Sequence, residues 1–181
     1  MNEVRIIGGK WKRRKLGFPN RPTLRPTPDR ARVTLFNWLA ASIDGAHCLD
    51  AFAGSGALGF EALSRGAAAA TLLDDDPLVV RALRENAERL GADNCTILRT
   101  SARAFLRANN RAWDIVFLDP PFASSLLDDT LAALTSGPHL HAASIVYVES
   151  SIHSIPNLDR WETLKRTRTG EVASLLLKRL V

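Results

Sequence analysis

The sequence predicts an α/β chain: a mostly parallel central sheet with helices on both faces. Three observations predict it. From residue 44 onward, short apolar β-prone runs alternate with helix-length segments, the pattern of repeated βαβ units. Two of those runs carry an acid near their end with a loop former beyond it, Asp50 four residues before Gly54-Ser55-Gly56 and Asp119 directly before Pro120-Pro121. The tail, residues 160–181, breaks the alternation with two β-like runs, Trp161–Leu164 and Val172–Lys178, joined through Thr169-Gly170, which predicts an antiparallel hairpin closing the sheet edge.

The elements follow in order. Residues 4–16, "VRIIGGKWKRRKL", read as two short strands around Gly8-Gly9, a small hairpin. Residues 17–28 carry four prolines, Pro19, Pro22, Pro26 and Pro28, and are a loop. Asp29 is placed to cap a helix from Arg30 to about Ser42, with Val33, Leu35, Phe36, Leu39 and Ala40 near one face. Cys48–Phe52 is a strand, then a glycine loop and a helix to about Arg65. Ala70–Leu73 is a strand, and Pro77 opens a helix that Gly91 stops. Cys95–Leu98, Asp114–Leu118 and Ser144–Val148 are further strands, with helices at 102–108 and 126–134 between them.

A chain of 181 residues, 46% hydrophobic, suits one domain with a small extension and has the material for a core. The boundary predicted from charge is a basic hairpin and loop at 1–28, with the catalytic domain at 29–181. No apolar run approaches the about 20 residues that span a bilayer, and no apolar signal segment follows the basic N-terminus. A soluble, cytoplasmic protein without membrane contact is expected, and a monomer. Cys48 and Cys95 read as small buried residues, and the four histidines lack metal-ligand spacing, so no metal is expected.

Charge placement says more than net charge. Residues 1–32 hold ten Lys/Arg against two acids, while the rest holds fourteen against seventeen. Such asymmetry points to a polyanionic partner; a solvated charged arm is the plainer alternative. Trp11 and Phe18, interleaved with the bases, offer rings on which nucleobases stack.

Gly54, Gly56 and Gly59 match G-x-G-x-x-G between a strand and a helix, and Asp74 ends the next strand twenty residues after Gly54. That context points to nucleotide binding, the acid meeting a ribose. Asp50 narrows the ligand. A pyrophosphate would be repelled by a carboxylate four residues before Gly54, whereas a cationic ligand would be held by it. S-adenosylmethionine has a sulfonium, an ammonium and a ribose. A turn or capping role for Asp50 stays open, as does a capping role for two of Asp74-Asp75-Asp76.

"FLDPPF", residues 117–122, ends a buried strand in a carboxylate, two rigid residues and a ring. Ligands in such sheets bind beyond the carboxyl ends of the strands. Two acceptors, the Asp119 carboxylate and the Pro120 carbonyl, would orient the lone pair of an exocyclic nucleobase amine, with Pro121 stiffening the turn and Phe122 offering a face. A plain strand-ending turn is the alternative.

With these residues in hand, Asp50-x-Phe52-x-Gly54-Ser55-Gly56 and Asp119-Pro120-Pro121-Phe122 resemble the class I S-adenosylmethionine-dependent methyltransferases that act on exocyclic amines, with their Rossmann-like fold. "RIIGGKWKRRKL", "LRPTPDRARVTLFNWL", "CLDAFAGSGALGFEALSRGA" and "IVYVES" extend the resemblance nearly end to end, toward the bacterial 16S rRNA guanine-N2 methyltransferases of the D type, which modify guanine 966 in rRNA numbering. The resemblance implies that Asp50, Phe52, Gly54, Ser55 and Gly56 line the cofactor pocket. Asp74 would bind the ribose, Asp76 matches the second acid of that motif, and Ser101, with Ala102 after it, fills the slot where the family often sets Asp or Asn against the adenine. Asp119, Pro120, Pro121 and Phe122 would hold the flipped guanine. Arg5, Lys10, Trp11, Lys12, Arg13 and Arg14 of the hairpin, with Arg25, Thr27, Arg30 and Arg32 beyond it, would grip 16S rRNA in the small ribosomal subunit. The sequence departs from the family at Arg13 and Val33, where Gly and Glu are expected, and at Ser101. An amine methyltransferase for another RNA or DNA base is the alternative, and a nicotinamide-dependent oxidoreductase a more distant one.

Overall fold

The computed structural model describes residues 2–21, 28–121 and 125–180. Its strands are β1 (Asn2–Arg5), β2 (Lys15–Phe18), β3 (His47–Asp50), β4 (Ala69–Asp74), β5 (Cys95–Arg99), β6 (Trp113–Leu118), β7 (Leu140–Ser151), β8 (Trp161–Thr169) and β9 (Val172–Arg179). Its helices are α1 (Asp29–Trp38), α2 (Ala57–Ser64), α3 (Pro77–Leu90), α4 (Ala102–Ala108) and α5 (Leu126–Ser136). Seven strands form one sheet in the order β5-β4-β3-β6-β7-β9-β8, and β1 and β2 form a separate pair. β5, β4, β3, β6 and β7 are mutually parallel; β9 runs antiparallel to β7, and β8 antiparallel to β9. The predicted Rossmann-like α/β fold and closing hairpin are both present.

Two hydrophobic clusters cover the two faces. On the first, Cys48, Leu72, Ile115, Phe117, Tyr147 and Leu176 pack against α1, α2 and α3. On the second, Leu49, Leu73, Val116, Leu118, Val148 and Leu175 pack against α4, α5 and Trp161. Strand neighbours divide between the faces because successive side chains alternate.

Differences from the sequence reading have local causes. β1 and β2 are joined by nine residues, not by a tight Gly8-Gly9 turn, because that loop bonds to α2: Lys10 N–H donates to the Ser64 carbonyl and Trp11 N–H to Ser64 Oγ. α1 begins at Asp29, whose side chain makes no cap bond and instead pairs with Arg32 at 2.6 Å. β7 and β8 are longer than expected, since their polar ends pair through the backbone. His141 lies in β7, its ring 2.9 Å from Asp114. Cys48 is buried and Cys95 half-buried; burial pushes both thiols up to about 12. Among the described residues no helix is long and apolar enough to cross a membrane, and no group of His, Cys, Asp or Glu is placed to hold a metal ion.

The N-terminal pair is stitched to the body by one buried carboxylate. Glu61 of α2, fully buried, accepts from the N–H groups of Ile7 (2.7 Å) and Gly8 (2.8 Å), pairs with Arg65 (2.7 Å) and lies 3.7 Å from Arg32. Asn86 of α3 exchanges two further bonds with the backbone of Gly17. Val4, Ile6, Leu16 and Phe18 join the first-face cluster.

Candidate active site

The carboxyl ends of β4, β3, β6 and β7 each end in or lead to an acid. Cys48, Leu72, Phe117 and Tyr147 face the first cluster, so alternation puts Asp50, Asp74, Asp119 and Glu149 on that same face. Asp50 pairs in register with Leu72 and Phe117, two residues below Asp74 and Asp119. Glu149 and Asp119 each lie one residue beyond the pair Leu118–Val148. Four carboxylates thus share one face across four adjacent strand tips.

Asp50 is 2% exposed, and its Oδ2 accepts from Gly59 N–H at 3.0 Å. Burial pushes it up to about 7; the Gly59 N–H opposes this, and the charges of Asp119 and Asp74 add to it. The turn role left open for Asp50 is therefore present, since it ties the tip of β3 to the first turn of α2. A carboxylate this poorly solvated and ringed by acids is also a site that a cation would relieve. Asp74 Oδ2 accepts from Gly54 N–H (3.1 Å) and Oδ1 from Asp76 N–H (3.0 Å). Burial raises Asp74, against those two N–H groups.

The glycine loop is held close to the sheet: Ala53 N–H donates to the Leu73 carbonyl, and Ala51 N–H to that of Phe117. Gly56 has φ +77, and a Cβ there would stand 2.6 Å from the Phe60 ring. A Cβ on Gly59 would stand 2.7 Å from Leu72, so this third glycine serves helix–sheet packing. Ser55 is buried and Phe52 half-buried in the same loop. Were an adenosyl cofactor bound beside this loop, these backbone groups and Asp74 would meet its ribose and amino-acid end, and Asp50 its positive charge.

Asp76 caps α3, accepting from Leu78 N–H, and pairs with Arg21 at 2.8 Å. The hydrogen bond from Arg21 is the main reason its carboxyl is lowered. The capping role considered for this acid is realised, and it anchors the N-terminal segment beside the glycine loop. Ser101 caps α4 through Ala104 N–H, and Ala102 is buried behind it. Asp119 is half-buried, Pro120 buried and Pro121 exposed. Both prolines line a cleft with Glu149, Ser150, Ser154 and Pro156. Phe122, Arg25 and Thr27 lie outside the described residues.

Three sequence-predicted RNA contacts are corrected. Arg32 is fully buried between Asp29 and Glu61 and presents nothing to a nucleic acid. Trp11 is 8% exposed and packed in the core, as is Phe18, so neither ring offers a stacking face. Arg5, Lys12, Arg13, Arg14 and Arg30 are exposed, and Lys10 lies over the Trp11 ring. Lys10 to Arg14 sit at the far ends of α2 and α3: Arg14 donates to the carbonyl of Arg89, near the end of a fourteen-residue helix that starts at the strand tips, about 20 Å away. Glu149, which the sequence pattern does not single out, joins this row of acids while its Oε1 accepts from Tyr147 Oη at 2.6 Å.

The family described as Conserved hypothetical protein 95 matches residues 4–178. Ribosomal RNA small subunit methyltransferase D of Escherichia coli strain K12 is 45% identical over 98% of this chain and 90% of its own. The protein of the same name from Haemophilus influenzae is 41% identical over 94% and 91%. Among solved structures, a putative methyltransferase from Escherichia coli superposes with a TM-score of 0.89 at 44% identity, covering 99% of both chains. A putative methylase from Haemophilus influenzae gives 0.86 at 37% identity, over 99% of this chain and all of that one.

Proposed function

The chain belongs to the Conserved hypothetical protein 95 family, and from that premise we propose that it methylates small-subunit ribosomal RNA, transferring a methyl group from S-adenosylmethionine to the exocyclic N2 of a guanine, the one equivalent to position 966 of 16S rRNA. The relatives' names support rRNA as substrate. The observation that carries the chemistry is the row of acids on one sheet face, with Asp50 and Asp74 beside the glycine loop and Asp119 on the next strand tip.

The cofactor supplies an electrophilic methyl on a sulfonium. The protein's residues do the rest by position. Asp74, fixed by two N–H groups, accepts from the ribose hydroxyls. Asp50 balances the positive amino-acid end. Asp119 and the Pro120 carbonyl accept from the two N–H bonds of the guanine amine and turn its lone pair toward the methyl carbon. Asp119 would hold the amine nitrogen in line with that methyl carbon, whose bond to sulfur is the one the transfer breaks, and would receive the proton the nitrogen sheds. The rate gain comes from alignment and from a dry, preorganised site. Exposed large apolar residues are scattered (Val33, Leu78, Leu126, Ile155, Leu164, Leu180), which supports action as a monomer. A nicotinamide enzyme leaves the Asp119 tip and the relatives' names unexplained.

The test is transfer of labelled methyl from S-adenosylmethionine to unmodified small ribosomal subunits, followed by nucleoside analysis. N2-methylguanosine at a single rRNA site is expected. Label in another nucleoside, or none despite cofactor binding, sinks the assignment.

A further inference from the structure

The positive charge of this protein lies in two blocks. Besides the N-terminal residues, positions 160–179 hold six bases (Arg160, Lys165, Arg166, Arg168, Lys178, Arg179) against two acids, Glu162 and Glu171, while positions 33–159 hold eight bases against fifteen acids. The second block is the β8–β9 hairpin, and β8 is an edge of the seven-stranded sheet. Residues 162–166 and 168 are exposed. Among the described residues, Lys165, Arg166 and Lys178 form no ion pair, and Arg168 uses only its Nε, on the Gly170 carbonyl at 2.7 Å.

Register fixes where this charge lies. Leu118, Val148, Leu175 and Arg166 are successive partners across β6, β7, β9 and β8. Arg166 is therefore level with the residue before Asp119, three strand spacings or about 14 Å away, and shares the second face of the sheet with Leu118 and Leu175. Arg168 pairs with Ala173, which pairs with Ser150, a residue of the cleft beside Pro120 and Pro121. Arg160, Lys178 and Arg179 lie at the opposite end of the hairpin, since Trp161 pairs with Arg179. The basic loop at Lys10–Arg14 is also remote from the strand tips. Charges on an edge strand guard against pairing with other chains, but either sign does that. A one-signed excess at the active-site end calls for an anion.

We propose that the active-site end of β8, through Lys165, Arg166 and Arg168, is a second RNA-binding surface, which holds backbone phosphates a few nucleotides from the base delivered to Asp119. It rests on the reading of this chain as an rRNA methyltransferase. The cleft at Pro120–Ser150 is the path between base and phosphates.

The test compares two double variants of equal charge change in the full chain: Arg166→Glu with Arg168→Glu at the active-site end, and Arg160→Glu with Lys178→Glu at the far end. Binding to unmodified small subunits is measured over a salt series, with cofactor affinity as the folding control. The active-site pair is expected to weaken binding at least tenfold and to flatten the plot of log affinity against log salt by about 1 to 2 units. The far pair should change either quantity little, and cofactor affinity should be unchanged in both. Equal loss in the two pairs, or no loss in the first, overturns the proposal. Loss of affinity with an unchanged salt slope also overturns it, because the surface would then meet protein rather than phosphate. Should the Glu pair lose cofactor binding, Arg166→Gln with Arg168→Gln carries the same expectation at about half the slope change. Wild-type protein that binds the unmodified subunits but transfers no methyl would count against the proposed reaction and leave this surface standing.

Discussion

Asp50 links fold stability to ligand charge, and Asp50→Asn isolates that link. In the fold the carboxyl sits at about 7, against 3.8 for the free group, chiefly because it is buried. The folded protein therefore holds a proton on this group that the unfolded chain has released at pH 5 and 6. Stability from this source is fully present below about pH 4 and is lost as pH rises toward 7. At about 1.4 kcal/mol for each tenfold change in proton affinity, the loss across the window is on the order of 4 kcal/mol, and about 3 kcal/mol of it falls between pH 5 and 8. Asn has no proton to release, so the variant should gain on the wild type by about that much over the same range. Urea unfolding of both proteins at half-unit pH steps reads the difference; other titrating groups are common to both and largely cancel. A difference that stays flat from pH 5 to 8 would refute the reasoning. Saturating S-adenosylmethionine should flatten it too, since a cation beside Asp50 returns the carboxyl to its ordinary range. In the wild type, cofactor affinity should weaken about fivefold from pH 7 to 6, and the variant's should not.

Asp119→Ala should lower methyl transfer at least about 100-fold while leaving RNA binding intact, by the size of effects at preorganised polar groups; filter binding and single-turnover transfer measure the two. Gly56→Ala forces φ +77 on an alanine and a Cβ onto the Phe60 ring; a loss of about 1–3 kcal/mol with weakened cofactor binding should appear in thermal melts. Glu61→Ala leaves Arg32 buried and strips two N–H groups of their acceptor, so a loss of about 3 kcal/mol or more is expected from the urea midpoint.

The sheet was legible because buried parallel strands are short apolar runs, and Pro77 and Gly91 bracket α3 by their backbone preferences. Asp50, Asp74 and Asp119 stood out because a carboxylate at the end of a buried run is costly to desolvate and so is readily noticed there. β8 was cut short at Leu164 because an exposed edge strand has no apolar alternation to read. Arg32 looked like a surface base because arginines usually are; what buries it is Glu61, twenty-nine residues away in sequence. Trp11 and Phe18 misled for the same reason: a ring among bases reads as a stacking platform until the core that claims it is seen.

The N-terminal pair of strands is made first and finished late. Its bonding partners are 53 to 75 residues further along: Glu61, Ser64, Asn86 and Arg89. Chains are synthesised from the N-terminus, so the most basic stretch of the described chain stays undocked until the residues that hold it have been made.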